Sequence, residues 1–184
     1  MTGVLKVKKL IPVLLISIIL ASIATKTAEA TLLGGKWPRS GYFTLYYYYG
    51  GNHRYYGNIW QGGTNWSNTP TKVYMKPWPG ISAPLHLEVY DTYTSATWWG
   101  MAAHYPCTGS GCKYSAAAIY MNQRTLDPEN DFIRTKVATH EFGHTLGLAH
   151  PASSVTSSSV MRQGRLSYNK PQKYDINDLN RIYK

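Results

Sequence analysis

The amino-acid sequence predicts an α+β fold in which a β-sheet packs on two helices and a small, irregular subdomain follows at the C-terminal end. The first observation is that segments with strand-like composition fill most of residues 42–122. The second is that the last third of the chain holds a long helical pattern, a polar stretch and a short terminal helix. With 184 residues and no visible internal repeat, the chain is long enough for one domain with a substantial core.

Residues 1–30 predict a secretory signal peptide. Three lysines lie between positions 6 and 9, residues 10–23 form an apolar run, and Ala28-Glu29-Ala30 matches the small-x-small pattern of a signal-peptidase site. The apolar run is short for a membrane-spanning helix, so an uncleaved anchor is the weaker alternative. We therefore expect a secreted protein without stable membrane insertion, in which residues 31–184 form the mature domain.

The charge of the chain bears on its partners. The formal net charge is +10, and it becomes +7 once the four basic residues and one acidic residue of the signal peptide are removed. The basic residues are scattered rather than arranged in a stripe, so nucleic acid is not indicated as a partner. A soluble, self-repelling surface is the simplest interpretation. Association with an anionic cell wall and a preference for acidic substrates are the alternatives.

The strand predictions rest on composition and on alternation between two faces. The candidate strands are residues 42–49, 71–76, 85–90, 98–104 and 115–122. Between the first two, residues 52–66 carry apolar side chains at helical intervals and predict a helix, although its glycines weaken the pattern. Residues 31–40 are expected to be irregular, with Trp37 packed against the body of the domain.

A long helix is predicted from residue 127 to about residue 146. Asp127 offers an N-cap side chain, and Pro128 suits the first helical position. The core-facing stripe of this helix consists of Ala138, Phe142 and Leu146. A polar stretch, residues 151–159, follows it, and Asp175 and Asp178 predict the start of a short terminal helix.

The long helix carries an H-E-x-x-H-x-x-G-x-x-H pattern. His140 and His144 lie four residues apart and therefore point the same way from a helix. Glu141 lies one step around the helix, where it would flank a metal and act as a base on a water. Gly147 tolerates a positive φ, so it can end the helix and bring back His150 as a third ligand. Three imidazoles with an open fourth position predict one catalytic zinc ion; a helix with merely half-buried histidines is the alternative.

These five residues resemble the zinc-binding motif of the metzincin metalloproteases, and residues 138–148 are most similar to the matrixin branch. The tail, residues 174–183, resembles the matrixin C-terminal helix. Metzincins place a methionine turn beneath the metal, and Met161 is the candidate here. Astacins carry a tyrosine two residues after that methionine, whereas this chain has Gln163. The resemblance extends over residues 114–184.

The resemblance implies a metzincin-type zincin fold: a twisted mixed β-sheet on two helices, plus a small C-terminal subdomain with the Met-turn and a terminal helix. It also implies a zinc endopeptidase that uses a zinc-activated water and Glu141 as general base. A protein or peptide substrate would bind in extended conformation beside the edge strand, for which residues 116–120 are the candidate. Residues 162–168 would line part of the specificity pocket, and we expect a monomer.

A second function comes from a different class. Basic charge and aromatic patches also suit a cell-surface or cell-wall binding protein with a structural or vestigial zinc site. The six Trp and 16 Tyr residues could form a sugar-binding surface or serve in core packing. An intact Glu141 favours the enzyme, because a binding protein has no need of a carboxylate beside an open metal site.

The cysteines and the remaining candidate metal ligands complete the predictions. Cys107 and Cys112 predict a disulfide in an exported chain, with a reduced pair or a second metal site as alternatives. Matrixins are usually kept latent by a pro-domain cysteine, and no cysteine precedes position 107, so a cysteine switch is not expected. His53, His86 and His104 could form a second zinc site, but no ligand spacing supports it, and surface histidines or histidines that support other ligands are the alternative. Calcium is possible at Asp127, Glu129 and Asp131, although no loop motif supports it.

Overall fold

A computed structural model describes residues 32–49, 53–78 and 86–184, with the side chain of His86 left out. The predicted signal peptide lies outside the described residues. None of the helices in the described part of the chain combines the length and the apolarity that a membrane crossing requires.

The described residues form an α+β domain, as the sequence predicted. In chain order its elements are β1 Phe43–Tyr48, α1 Tyr56–Ser67, β2 Val73–Trp78, β3 His86–Thr92, β4 Gly100–Tyr105, β5 Ala116–Asn122, α2 Gln123–Leu126, α3 Asp131–Thr145 and α4 Lys173–Ile182. The strands and helices predicted from composition and periodicity are all present, and the short α2 is an addition.

The five strands form one mixed sheet in the order β2-β1-β3-β5-β4. The pairs β1–β2, β1–β3 and β3–β5 are parallel, and β4 is antiparallel to β5. The prediction that residues 116–120 form the edge strand is wrong. These residues belong to β5, which lies between β3 and β4. Strand β5 is apolar and largely buried along its length, as expected of an interior strand. The edge on this side of the sheet is β4.

One face of the sheet packs on α1 and α3. Tyr47 of β1 contacts Phe142 of α3 with ring centroids 5.0 Å apart. The predicted core stripe of α3 (Ala138, Phe142, Leu146) is buried. A Cβ on Gly62 of α1 would lie 2.9 Å from the Cβ of Ala138, so this glycine permits the close approach of the two helices. Gly62, one of the glycines that weakened the α1 prediction, therefore has a packing role.

Aromatic residues supply much of the core. The largest fully buried side chains are Trp37, Trp66, Tyr47, Tyr55, Tyr114, Tyr183 and Phe142. Core packing therefore accounts for these seven. Tyr74 and Tyr90, in contrast, are exposed on β2 and β3, and Tyr90 stacks on Tyr120 of β5 at 5.5 Å.

The starts of two helices differ from the prediction. The N-cap of α3 is Asn130, whose side chain accepts a hydrogen bond from the backbone N–H of Ile133 at 3.0 Å. Asp127 instead follows α2 in helical conformation, and its carboxylate accepts from the Tyr55 hydroxyl at 2.6 Å. At α4, Gln172 is the N-cap, and Asp175 occupies the third helical position in a capping box.

The N-terminal segment, residues 32–37, lies across the C-terminal end of α3. The backbone N–H of Leu33 donates to the carbonyl of Gly147 at 3.0 Å, and the indole N–H of Trp37 donates to the carbonyl of Thr145 at 2.8 Å. Trp37 is fully buried, so the expected packing of this residue against the body is confirmed. The segment thus supplies hydrogen-bond donors to backbone carbonyls at the C-terminal end of α3, where carbonyls lack partners within a helix.

Cys107 and Cys112 form the predicted disulfide. The loop that it closes packs on the N-terminal segment, where the backbone N–H of Gly111 donates to the carbonyl of Gly34 at 2.9 Å and that of Lys36 donates to the carbonyl of Cys112 at 2.9 Å. The loop is thus held by the disulfide and by backbone hydrogen bonds.

A double Cys107→Ser, Cys112→Ser variant is expected to fold with a lower melting temperature. The sequence separation of the cysteines is only 5, so the loss in unfolding free energy should stay below the ~3 kcal/mol expected for a fifteen-residue loop. Thermal unfolding of the oxidised wild type and the variant measures the difference. A variant that fails to fold, or native wild-type protein with titratable thiols, would contradict this expectation.

Candidate metal centre

Three histidine side chains converge at the end of α3. His140 and His144 lie one turn apart on the helix, with their Nε2 atoms 3.1 Å from each other. His150 follows the helix, and its Nε2 lies 3.0 Å from that of His140 and 3.1 Å from that of His144. In the described part of the chain this is the one cluster of His, Cys or acidic side chains close enough to share a metal ion.

The turn after α3 brings His150 to the cluster. Gly147 has a φ of 94°, a left-handed conformation that glycine adopts without strain. Its N–H donates to the carbonyl of His144 at 2.8 Å, and the N–H of Leu148 donates to that of Gly143 at 3.1 Å. A Cβ at Gly147 would also lie 2.6 Å from the carbonyl oxygen of Gly35. The glycine is therefore required both for the turn and for the approach of the N-terminal segment.

Backbone carbonyls fix the protonation of two of these imidazoles. The Nδ1 of His140 lies 2.9 Å from the carbonyl oxygen of Val160, and the Nδ1 of His144 lies 2.8 Å from that of Leu148. A carbonyl only accepts, so each Nδ1 carries the proton and each Nε2 presents a lone pair. Lone pairs that face one another repel unless a cation lies among them. The donor set therefore fits zinc, which is commonly held by neutral imidazole nitrogens.

Burial keeps the three imidazoles neutral. It lowers the pKa of His140 well below its usual range, with Lys136 acting in the same direction. It lowers the pKa of His144 to about 4, and it also lowers the pKa of His150, where Lys136 again acts in the same direction. At neutral pH the cluster is thus in the state that binds a metal.

The unfolding free energy of the metal-free protein is expected to fall as the pH drops from about 7 to about 5. Unfolded histidines take up protons near pH 6.5, whereas folded His144 stays neutral until about pH 4. Glu141, whose raised pKa of about 8 keeps it protonated in the folded state, acts in the opposite direction. Three imidazoles with lowered pKa values outnumber this one carboxyl, so the unfolded state binds more protons in this window and folding loses stability as the pH falls. Denaturant unfolding of chelator-treated protein measures the slope. A His144→Asn variant should show a shallower slope, and an unfolding free energy that rises towards pH 5 would contradict the expectation.

Glu141 points into a cleft between β4 and α3. The cleft has a volume of about 650 Å³ and contains the three histidines in its lining. Glu141 is only 5% exposed, and burial raises the pKa of its carboxyl to about 8, against a lowering effect of Lys136. A Cβ on Gly100 of β4 would lie 2.8 Å from Oε1 of Glu141. The glycine in the edge strand therefore leaves room for this carboxylate.

Met161 lies beneath the helix that carries two of the histidines. It is buried, and a Cβ on Gly143 would lie 2.3 Å from its sulfur, which explains a glycine between the motif histidines. The turn that precedes Met161 is held by Asp175 of α4, whose carboxylate accepts from the Ser159 hydroxyl at 2.5 Å and from the N–H of Val160 at 2.8 Å. The sequence alone predicts Asp175 only as a residue at a helix start, so its role in holding this turn is visible only in the structure.

The other candidate zinc ligands lie elsewhere. His104 of β4 contacts the carbonyl oxygen of His144 through Nε2 at 2.8 Å and stacks on Tyr114. His53 lies 3.5 Å from Asp91. The side chain of His86 is outside the described part of the structure. His53 and His104 therefore do not assemble the candidate second zinc site.

The candidate calcium ligands are each engaged by an arginine. Ion pairs join Asp127 to Arg54, Glu129 to Arg165 and Asp131 to Arg134. Among the described residues, these carboxylates do not form a group that could share one ion.

Two comparisons bear on the family of the chain. The family model described as Matrixin matches residues 74–184, which is more than half of the chain and includes all three histidines. The match extends the resemblance upstream from residue 114 into β2. A search of curated proteins found no similar sequence.

Proposed function

Because the chain belongs to the matrixin family, whose members are metalloproteases, we propose that it is a zinc-dependent endopeptidase. One observation carries the proposal: three imidazoles converge in a cleft beside a buried carboxylate, next to an open sheet edge. A cell-wall binding protein could keep the histidine cluster, but it would have no use for Glu141 in the cleft.

The proposed roles follow from the geometry. His140, His144 and His150 would hold the zinc ion through Nε2. Zinc in that position supplies Lewis acidity, which acidifies water and polarises a peptide carbonyl. Glu141 takes the proton from the attacking water and passes it to the leaving amine. Met161 packs under α3 and keeps in place the two helical turns that carry His140 and His144.

An extended peptide is the proposed substrate. Strand β4 is the sheet edge that faces the cleft, and Gly100, Met101 and Ala102 line it. Backbone pairing with β4 would tolerate many sequences. The selection of substrate side chains would then depend on the part of the cleft that Lys136, Gln163 and Gly164 line, next to the histidines. We call this part the recess.

We further propose that the protein is exported and acts outside the cell as a monomer, free or associated with the cell wall. The predicted signal peptide and the disulfide support export, because disulfides persist in oxidising compartments. The positive charge supports an association with anionic polymers.

The decisive experiment uses the protein that comprises residues 31–184. It is incubated with a diverse peptide library in buffer, with chelator, and with chelator followed by zinc. We expect cuts that disappear with chelator and return with zinc. Protein that binds zinc but cuts no peptide would reject the enzyme and favour the binding protein.

A further inference from the structure

Lys136 is a buried cation in the cleft. It lies one helical turn before His140, on the same side of α3, and lines the cleft although it is only 2% exposed. Among the described residues that line the cleft it is the only Lys or Arg, and Glu141 is the only carboxylate.

The ammonium group of Lys136 is only partly compensated. It donates to the carbonyl oxygen of Arg162 at 2.7 Å. Its other close neighbour is Nδ1 of His140 at 3.4 Å, which already donates to Val160 and therefore does not accept. The ion pairs of the described chain do not include Lys136. Glu141 acts on Lys136 only through space and forms no contact ion pair with it. A buried ammonium without a contacting anion is costly, and an anion that enters the cleft would offset that cost.

The position of Lys136 indicates which anion this would be. The carbonyl of Arg162 immediately precedes Gln163 and Gly164, which bound the recess beside the histidine cluster. Val137, which follows Lys136 and lies against Gly100 of β4, adds apolar surface to the cleft. A short aliphatic stem that ends in a carboxylate matches this combination of apolar wall and buried ammonium.

We propose that Lys136 makes the recess an anion subsite that selects an aspartate or glutamate side chain of the substrate. The proposal rests on the peptidase function proposed above and names its substrate class. It gives the buried lysine a role that structural packing does not explain, because an apolar side chain would fill the same volume at lower cost.

The test compares peptides that differ at one position. At each position flanking a mapped cut, Glu, Gln, Leu and Lys are exchanged in turn, and kcat/KM is measured at pH 7. At one position wild type should prefer Glu over Gln by at least about tenfold, the scale of a charge-assisted contact. Lys136→Met should reduce that ratio to about one, and Lys136→Glu should reverse it in favour of Lys.

Binding provides a second measurement that does not depend on turnover. In zinc-loaded Glu141→Gln protein, the Kd of the Glu peptide should be at least about tenfold lower than that of the Gln peptide. The added Lys136→Met change should abolish the difference. Lys76→Met, which removes an exposed lysine from β2 at the opposite edge of the sheet, should preserve it.

The outcomes separate the two proposals. Wild-type protein that cuts no peptide in the library rejects the peptidase function. Wild-type protein that cuts peptides without an acidic preference at any position rejects the anion subsite alone, whether or not the Lys136 variants fold. A Glu preference that survives Lys136→Met also rejects it, because another group would then hold the carboxylate.

Discussion

Replacing Glu141 with Gln is expected to lower kcat for peptide hydrolysis by at least ~10²-fold, the scale of general acid–base catalysis. Gln keeps the size of the side chain but cannot take a proton from water. The carboxylate lies in the cleft beside Gly100, and the hydrogen bonds that orient His140 and His144 run to backbone carbonyls. The histidine cluster and its zinc content should therefore be unchanged.

Three measurements belong to this experiment: steady-state kinetics, zinc content by elemental analysis, and denaturant unfolding. The matched control is Glu88→Gln on β3, which makes the same chemical change outside the cleft and should retain wild-type kcat. A Glu141→Gln protein with near-normal kcat and full zinc would exclude Glu141 as the base. Loss of zinc in that variant would instead assign the residue to metal binding.

Replacing Asp175 with Ala is expected to lower the unfolding free energy by about 2–4 kcal/mol, the scale for breaking a buried hydrogen-bond network and leaving its donors unsatisfied. Its carboxylate accepts hydrogen bonds from the Ser159 hydroxyl and from the N–H groups of Val160 and Gln172. Alanine would leave these donors buried without an acceptor. Because the same turn positions Met161 under the helix, zinc affinity should fall as well.

The control for this change is Asp131→Ala. Asp131 also lies in the first turn of a helix, but its side chain is 82% exposed and pairs with Arg134 at the surface. Exposed ion pairs contribute about 0–1 kcal/mol. Denaturant unfolding of both variants measures the contrast, and an Asp175→Ala effect no larger than that of Asp131→Ala would show that the network is dispensable.

Local sequence patterns were sufficient to predict the five strands, the three longer helices and the histidine cluster. The spacing of His140 and His144 depends only on helix geometry, and the return of His150 depends on one glycine. Strand alternation likewise involves neighbours in sequence. The order of strands in the sheet was beyond such patterns, because it depends on which distant strands pair. This is why β5 was mistaken for the edge strand that is in fact β4.

The same limit applies to individual side chains. Lys136 looked like any charged residue on a helix until the structure placed the carbonyl of Arg162 next to its ammonium group. Asp127 resembled an N-cap more than Asn130 did, because Pro128 follows it. The hydroxyl of Tyr55, 72 residues earlier in the chain, engages its carboxylate instead. Each of these outcomes depends on a partner that is remote in sequence.

The N-terminal segment also contacts the end of α4, which has a consequence for the order of folding. The backbone N–H of Trp37 donates to the hydroxyl of Tyr183, 146 residues later, and that hydroxyl donates to the carbonyl of Leu146. This support for the end of α3 therefore joins residues that are far apart in sequence, and contacts of that kind slow folding because a long loop must close before they form. The turn that brings back His150 would thus be fixed in place only at a late stage of folding.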